Sequence, residues 1–193
     1  MDRTHLLNQY ATDMAALSTH IAEAVEHQAD TPEIQNFPEA AGLARRIAAM
    51  MREQAKELEA YNETTEGGGV LEAAKEALFS ILGDAAGIIN RIRQTDEVSR
   101  MLRDDYTALS LAAVSYEMLH TTALGLKDQR LADLALRNLG EITPVLVELS
   151  QDVIRVVVRE LSAEDRILDA TVADEAIRNT QRMWSAEHTQ QSA

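Results

Sequence analysis

DEVSRMLRDDYTALSLAAVSYEMLHTTALGL, running from Asp96 to Leu126, is the stretch whose reading decides the fold. Val98, Leu102, Leu109, Ala112, Tyr116, Leu119, Ala123 and Leu126 recur at helical spacing, so one face of a long helix is apolar and the rest is polar. Such a stripe needs partner helices to cover it. Beside it stand Glu117 and His120, three residues apart and therefore pointing nearly the same way. A carboxylate and an imidazole so placed are a candidate half-site for a metal ion held inside a helix bundle.

Working outward towards the N-terminus, Thr95-Asp96-Glu97 supplies capping and acidic residues where the helix dipole favours them. Gly67-Gly68-Gly69 is a clear break, and no Lys-Ser or Lys-Thr follows it, so a phosphate cradle is rejected. Between the two, residues 70–82 and 84–93 read as short helices forming a crossover. Upstream, Leu43, Ile47, Met50, Gln54, Leu58 and Tyr61 form the seam of a helix at 37–62 that restarts at Pro38. The first helix, at 2–29, carries the seam Leu7, Tyr10, Met14, Leu17, Ile21 and Ala24, with a polar row of Asp13, His20 and His27 beside it. Asp30-Thr31-Pro32 separates these two, and the short connection makes them antiparallel.

Towards the C-terminus, Gly125, Lys127 and Asp128 mark a tight turn. Leu131, Ala135, Leu139, Ile142, Leu146, Leu149 and Val156 then carry a helix over 128–161, with a kink expected at Pro144. The β-branched run Val153 to Val158 reads as helix as well, because no partner strand is visible. Ser162-Ala163-Glu164-Asp165 is expected to open a further helix over 162–183, followed by a disordered tail at 184–193. The fold class is therefore all-α: one bundle domain over 1–161, the crossover at 70–93 within it, and an accessory C-terminal helix.

The bulk numbers agree and exclude several functions. Hydrophobic residues make up 46% of 193 residues but aromatics only 4%, which favours close-packed helices. Thirty-two acidic residues against eighteen Lys and Arg give a net charge of −14, which argues against nucleic acid and anionic membranes as partners. Without cysteine there is no disulfide framework or thiol nucleophile. No serine or threonine stands beside a base and a carboxylate, so nucleophilic catalysis has no candidate. The N-terminus lacks a signal-peptide layout and no apolar run is long enough to span a bilayer, so a cytoplasmic location is expected.

Two antiparallel helices, a helical crossover and two more antiparallel helices resemble a ferritin-like bundle. Tyr10-Ala11-Thr12-Asp13, Glu57-Leu58-Glu59, Val114-Ser115-Tyr116-Glu117 and the run from Leu126 to Gly140-Glu141 are similar to the YciF-like bacterial stress-associated family, over roughly residues 6 to 155. The resemblance implies a dinuclear iron or manganese centre. It places a shortened ligand at Asp13 and retained ligands at Glu117 and Glu141. It also leaves Met51, Gln54 and Pro144 where ligands are expected, with His120 as a substitute outside the family pattern. About half of the ligand set remains.

The expected function is thus that of a non-catalytic, stress-associated ferritin-like bundle with an eroded metal site, without cofactor, and forming a homodimer. The first alternative is a di-iron or di-manganese oxidoreductase or ferroxidase using Asp13, Glu117, His120 and Glu141. The second is an acidic helical adaptor for a basic protein partner. In the metal-free case Glu117 is expected to face the core, with Asp13 near it as a second acid.

Overall fold

A computed structural model describes residues 3–65, 97–164, 166 and 169–186. The expected crossover helices at 70–93, the glycine run and the end of the tail lie outside these residues. Every regular element described is a helix: α1 (Arg3–Ala29), α2 (Pro32–Gln35), α3 (Pro38–Thr65), α4 (Val98–Leu126), α5 (Gln129–Ala163) and α6 (Ala173–Ala186).

The apolar seams become the core. In α4, Val98, Leu102, Leu109, Ala112, Tyr116, Leu119 and Ala123 are all buried, and Leu126 is half-buried. They join Met14, Ile21 and Val25 of α1, Leu43, Ile47 and Leu58 of α3, and Leu131, Ile142 and Leu149 of α5 in one cluster. Alanine makes up much of the buried face of α1 and α3, including Ala11, Ala15, Ala22, Ala40, Ala41 and Ala44. Small side chains at these positions let two helix backbones approach closely.

Side-chain hydrogen bonds fix the helix directions. Asn62 Nδ2 donates to Thr12 Oγ1 (2.9 Å), Thr65 Oγ1 to Asn8 Oδ1 (2.9 Å) and Arg45 to the Ala29 carbonyl (3.4 Å), so α3 runs antiparallel to α1. His120 lies against Ala132, and the Ser99 amide donates to Glu160, so α5 runs antiparallel to α4. Each of these hairpins is extensively packed within itself, whereas contact between hairpins is narrower, α1 on α4 and α3 on α5. Gln54 with Asn138, Tyr61 with Asp128 and Arg159 with Asn36 make α3 and α5 antiparallel too. Thr65 and Val98 therefore lie at opposite ends of the helices.

Local chemistry sets the connections. Asp30, Thr31 and Pro32 do interrupt the chain, but residues 32–35 close one further helical turn, with Thr31 as N-cap in extended conformation. Between α4 and α5, Lys127 takes the left-handed conformation (φ 63°). Its amide donates to the Leu124 carbonyl (3.1 Å) and the Asp128 amide to the Ala123 carbonyl (2.9 Å), the Schellman arrangement. Asp128 also accepts from the Leu131 amide (2.9 Å) as N-cap of α5, so one residue ends a helix and begins the next.

Three expectations need correction. Glu97 stands at the N-cap of α4 without a side-chain cap and pairs instead with Arg100 (2.9 Å). The final helix does not open at Ser162: α5 runs to Ala163, Glu164 is its C-cap, and α6 starts only at Ala173. Trp184 belongs to α6 rather than to a tail. α5 continues as helix through Pro144, and the Thr143 hydroxyl donates to the Leu139 carbonyl (3.0 Å) just before it.

Candidate functional site

Four buried polar side chains, one from each long helix, meet in the middle of the packed helices. Ser18 of α1 is 3.5 Å from the Tyr116 hydroxyl of α4. Asn138 Nδ2 of α5 donates to that same hydroxyl (3.3 Å), and Gln54 Nε2 of α3 donates to the Asn138 backbone carbonyl (3.2 Å). None of the four is more than 1% exposed. Each occupies a position its helix would give to an apolar residue: Ser18 lies between Met14 and Ile21, Gln54 between Met51 and Leu58, and Asn138 between Ala135 and Ile142.

Two acids flank this group on its α3–α5 side. Gln54 Nε2 also donates to Glu141 Oε2 (3.0 Å), and Arg137 donates to Glu57 (2.6 Å). Two i, i+3 pairs, Gln54 with Glu57 and Asn138 with Glu141, thus stand on neighbouring helices. Burial pushes the Tyr116 hydroxyl up to about 12, because the phenolate loses its water, and the charges of Glu57 and Glu141 push in the same direction. Its hydrogen bonds with Ser18 and Asn138 pull the other way without prevailing. Tyr116 is therefore a neutral phenol at physiological pH. The side-chain carbonyls of Gln54 and Asn138 receive no hydrogen bond from the described residues.

Of the candidate metal ligands Asp13, Glu117, His120 and Glu141, only Glu141 touches this group, from an exposed position, whereas Gln54, which stands at an expected ligand position, belongs to the group itself. Glu117 does not face the core. Tyr116 holds the centre of the buried stripe, and the next residue is turned about 100° around the helix, which carries Glu117 to the surface between exposed Val114 and Met118. His120 is half-buried with Nδ1 2.8 Å from the Ala132 carbonyl. Since a carbonyl only accepts, Nδ1 carries the proton and the ring ties α4 to α5. Asp13 is half-buried, and its carboxyl is raised by burial alone, with no contribution from Glu117. The expected pairing of these two acids is not found. Among the described residues no three His, Asp or Glu side chains are grouped to hold a metal ion.

The donor chemistry can be compared with what a dinuclear centre requires. Helical di-iron and di-manganese sites use about four carboxylates and two histidines that converge from four helices. Here, among the described residues, the converging groups are two hydroxyls and two carboxamides, one of the flanking acids is held by Arg137, and no histidine joins them. This set does not fit a dinuclear iron or manganese centre.

A second buried polar position was not singled out from the sequence. Asp105 of α4 is 0% exposed, next to Asp104, which is 6% exposed and held by Arg103 (2.6 Å). Its sequence signal was present as a gap: the α4 seam steps from Leu102 to Leu109, and residue 105 is the missing apolar position.

These features define an all-helical protein whose core carries a shared polar centre. No helix among the described residues is long and apolar enough to cross a membrane. More particularly, no protein family, curated protein or solved structure matches the chain.

Proposed function

We propose that this chain is a non-catalytic ferritin-like four-helix bundle in which a neutral polar lock stands where relatives of that architecture place a dinuclear metal centre. The supporting observation is the convergence of Ser18, Gln54, Tyr116 and Asn138, one from each long helix, at the middle of the core. The ferritin-like pattern uses single acids on two helices and an i, i+3 ligand pair on the other two. In this reading Ser18 and Tyr116 take the single positions, while Gln54 with Glu57 and Asn138 with Glu141 take the paired ones. The helix directions are consistent with it, since two antiparallel hairpins related as α1–α3 and α4–α5 require a long connection between Thr65 and Val98.

The lock has a mechanical consequence. It hydrogen-bonds helices of one hairpin to helices of the other across the narrower contact, so it specifies how the hairpins register rather than supplying a reactive group. The stress-associated role belongs to the same proposal and rests on the resemblance described above. So does self-association as a dimer, which draws support from exposed Val114 and Met118 on α4 and Leu136 and Val147 on α5.

Elemental analysis of protein purified without added metal, followed by anaerobic Fe(II) and Mn(II) titration, tests the central part. The expected result is no stoichiometric uptake. Binding of two metals per chain that disappears in Glu57→Ala and Glu141→Ala would overturn the metal-free reading and leave the oxidoreductase or ferroxidase alternative in its place for an activity assay. Light scattering at micromolar concentration tests the dimer, and a monomer of 21.3 kDa would remove it.

A further inference from the structure

Asp105 lies in the contact between α4 and α1, wholly screened from water. Gln28 of α1, itself 1% exposed, lies against it, yet neither carboxyl oxygen receives a hydrogen bond of good geometry. The charged groups around it do not compensate a carboxylate. On α4, Asp104 is a like charge whose own cation, Arg103, lies 2.6 Å from it. On the α1 side Gln28 is neutral and its buried neighbours are Ala24, Val25 and Ala29. The antiparallel register brings Leu149 and Asp152 of α5 to about the same level, and Asp152 is held by Arg155 (2.6 Å). Among the described residues no cation faces it, and an anion with neither water nor a cation is costly, so the neutral acid is the favoured form.

A protonated carboxyl changes the chemistry of the contact. It gains an O–H that can donate to the Gln28 side-chain carbonyl, while its own carbonyl can accept from the Gln28 amide. We propose that Asp105 and Gln28 form a proton-dependent latch across the α1–α4 contact, closed while the carboxyl is neutral and loosened when the proton leaves. This inference is independent of the metal-free reading, because it concerns a different level of the core and a group that no metal proposal uses.

The sign of the effect follows from burial. Asp105 is held well above the ordinary carboxyl value, first by burial and then by the charge of Asp104, with Gln28 acting against both. A group raised in the folded state contributes fully below the unfolded value. That contribution is lost as pH rises from the ordinary carboxylate range through the folded value, by up to about tenfold per pH unit in the unfolding equilibrium constant.

Denaturant unfolding of the full chain and of Asp105→Asn, from about pH 4 to pH 8, tests the latch. Asparagine retains the neutral, hydrogen-bonding form at every pH. The expected result is near-equal stability at about pH 4, with Asp105→Asn gaining on the native chain as pH rises, and a loss of amide protection around Gln28, relative to the intrinsic exchange rate at each pH, in the native chain only. Curves that run parallel across the range would overturn the proposal. Should Asp105→Asn fail to fold, a carbon NMR titration of the native Asp105 carboxyl decides the matter: the shift of a neutral acid retained through the ordinary carboxylate range supports the latch, and titration there or a carboxylate shift throughout overturns it.

Discussion

The middle of the core and the level of Asp105 both bury polar groups where the two hairpins meet, but they do so with different chemistry. At the middle, hydroxyls and carboxamides carry no charge, and the Tyr116 hydroxyl joins groups from α1 and α5. At the other level a carboxyl stands without a cation among the described residues. Leaving a neutral acceptor such as the Asn138 side-chain carbonyl without a donor costs about 1–3 kcal/mol, whereas leaving a charge buried and unpaired costs more. A fold can therefore tolerate the first kind of polar position at any pH and the second only while it stays protonated. The difference separates a permanent lock from one that depends on conditions.

The sharpest way to break this comparison is to make the first region resemble the second. Asn138→Asp places an acid at the fully buried centre, and a loss of about 3 kcal/mol at neutral pH is expected, smaller near pH 4. Denaturant unfolding at both pH values measures it, and a pH-independent loss would show that charge is not the cause. Tyr116→Phe keeps the ring and removes the shared hydroxyl, leaving Asn138 Nδ2 without its acceptor. A loss of about 1–2 kcal/mol that stays constant between about pH 5 and pH 8 is expected from unfolding curves. A pH-dependent loss would mean that the centre contains a titrating group after all.

Smaller effects locate the boundary of the lock. Lys127→Gly is expected to stabilise by about 0.5–1 kcal/mol, since lysine is held in the left-handed conformation that glycine adopts freely. Destabilisation would show that the Lys127 side chain holds the α4–α5 turn. Glu117→Ala is expected to change stability by less than about 0.5 kcal/mol, as befits an exposed position. A melting-temperature loss as large as that of Tyr116→Phe would return Glu117 to the core.

Periodicity made the long helices legible because it averages over many residues: seven of the eight seam residues read in α4 are buried. The ends were less legible. α6 begins at Ala173 rather than 162, because Ser162 and Glu164 imitate a helix start while they actually complete α5. The site was read one residue out of register. Glu117 and His120 are familiar ligand types at ligand spacing, whereas the chemistry that converges lies at Tyr116, within the apolar stripe. Ser18 and Asn138 carry no obvious signal alone, and they become visible only when each is seen to fill an apolar position at the same level of its helix. Asp105 was readable in principle as the missing member of the Leu102 to Leu109 step.

The most direct test of the neutral lock is thermal unfolding under anaerobic conditions with chelator, and then with excess Fe(II) or Mn(II). A metal bound by the native state at one hundred times its dissociation constant would add about 2.7 kcal/mol of stability. The account predicts an unchanged melting temperature in all three conditions. A rise with either metal that is abolished by Glu57→Ala and Glu141→Ala would contradict it.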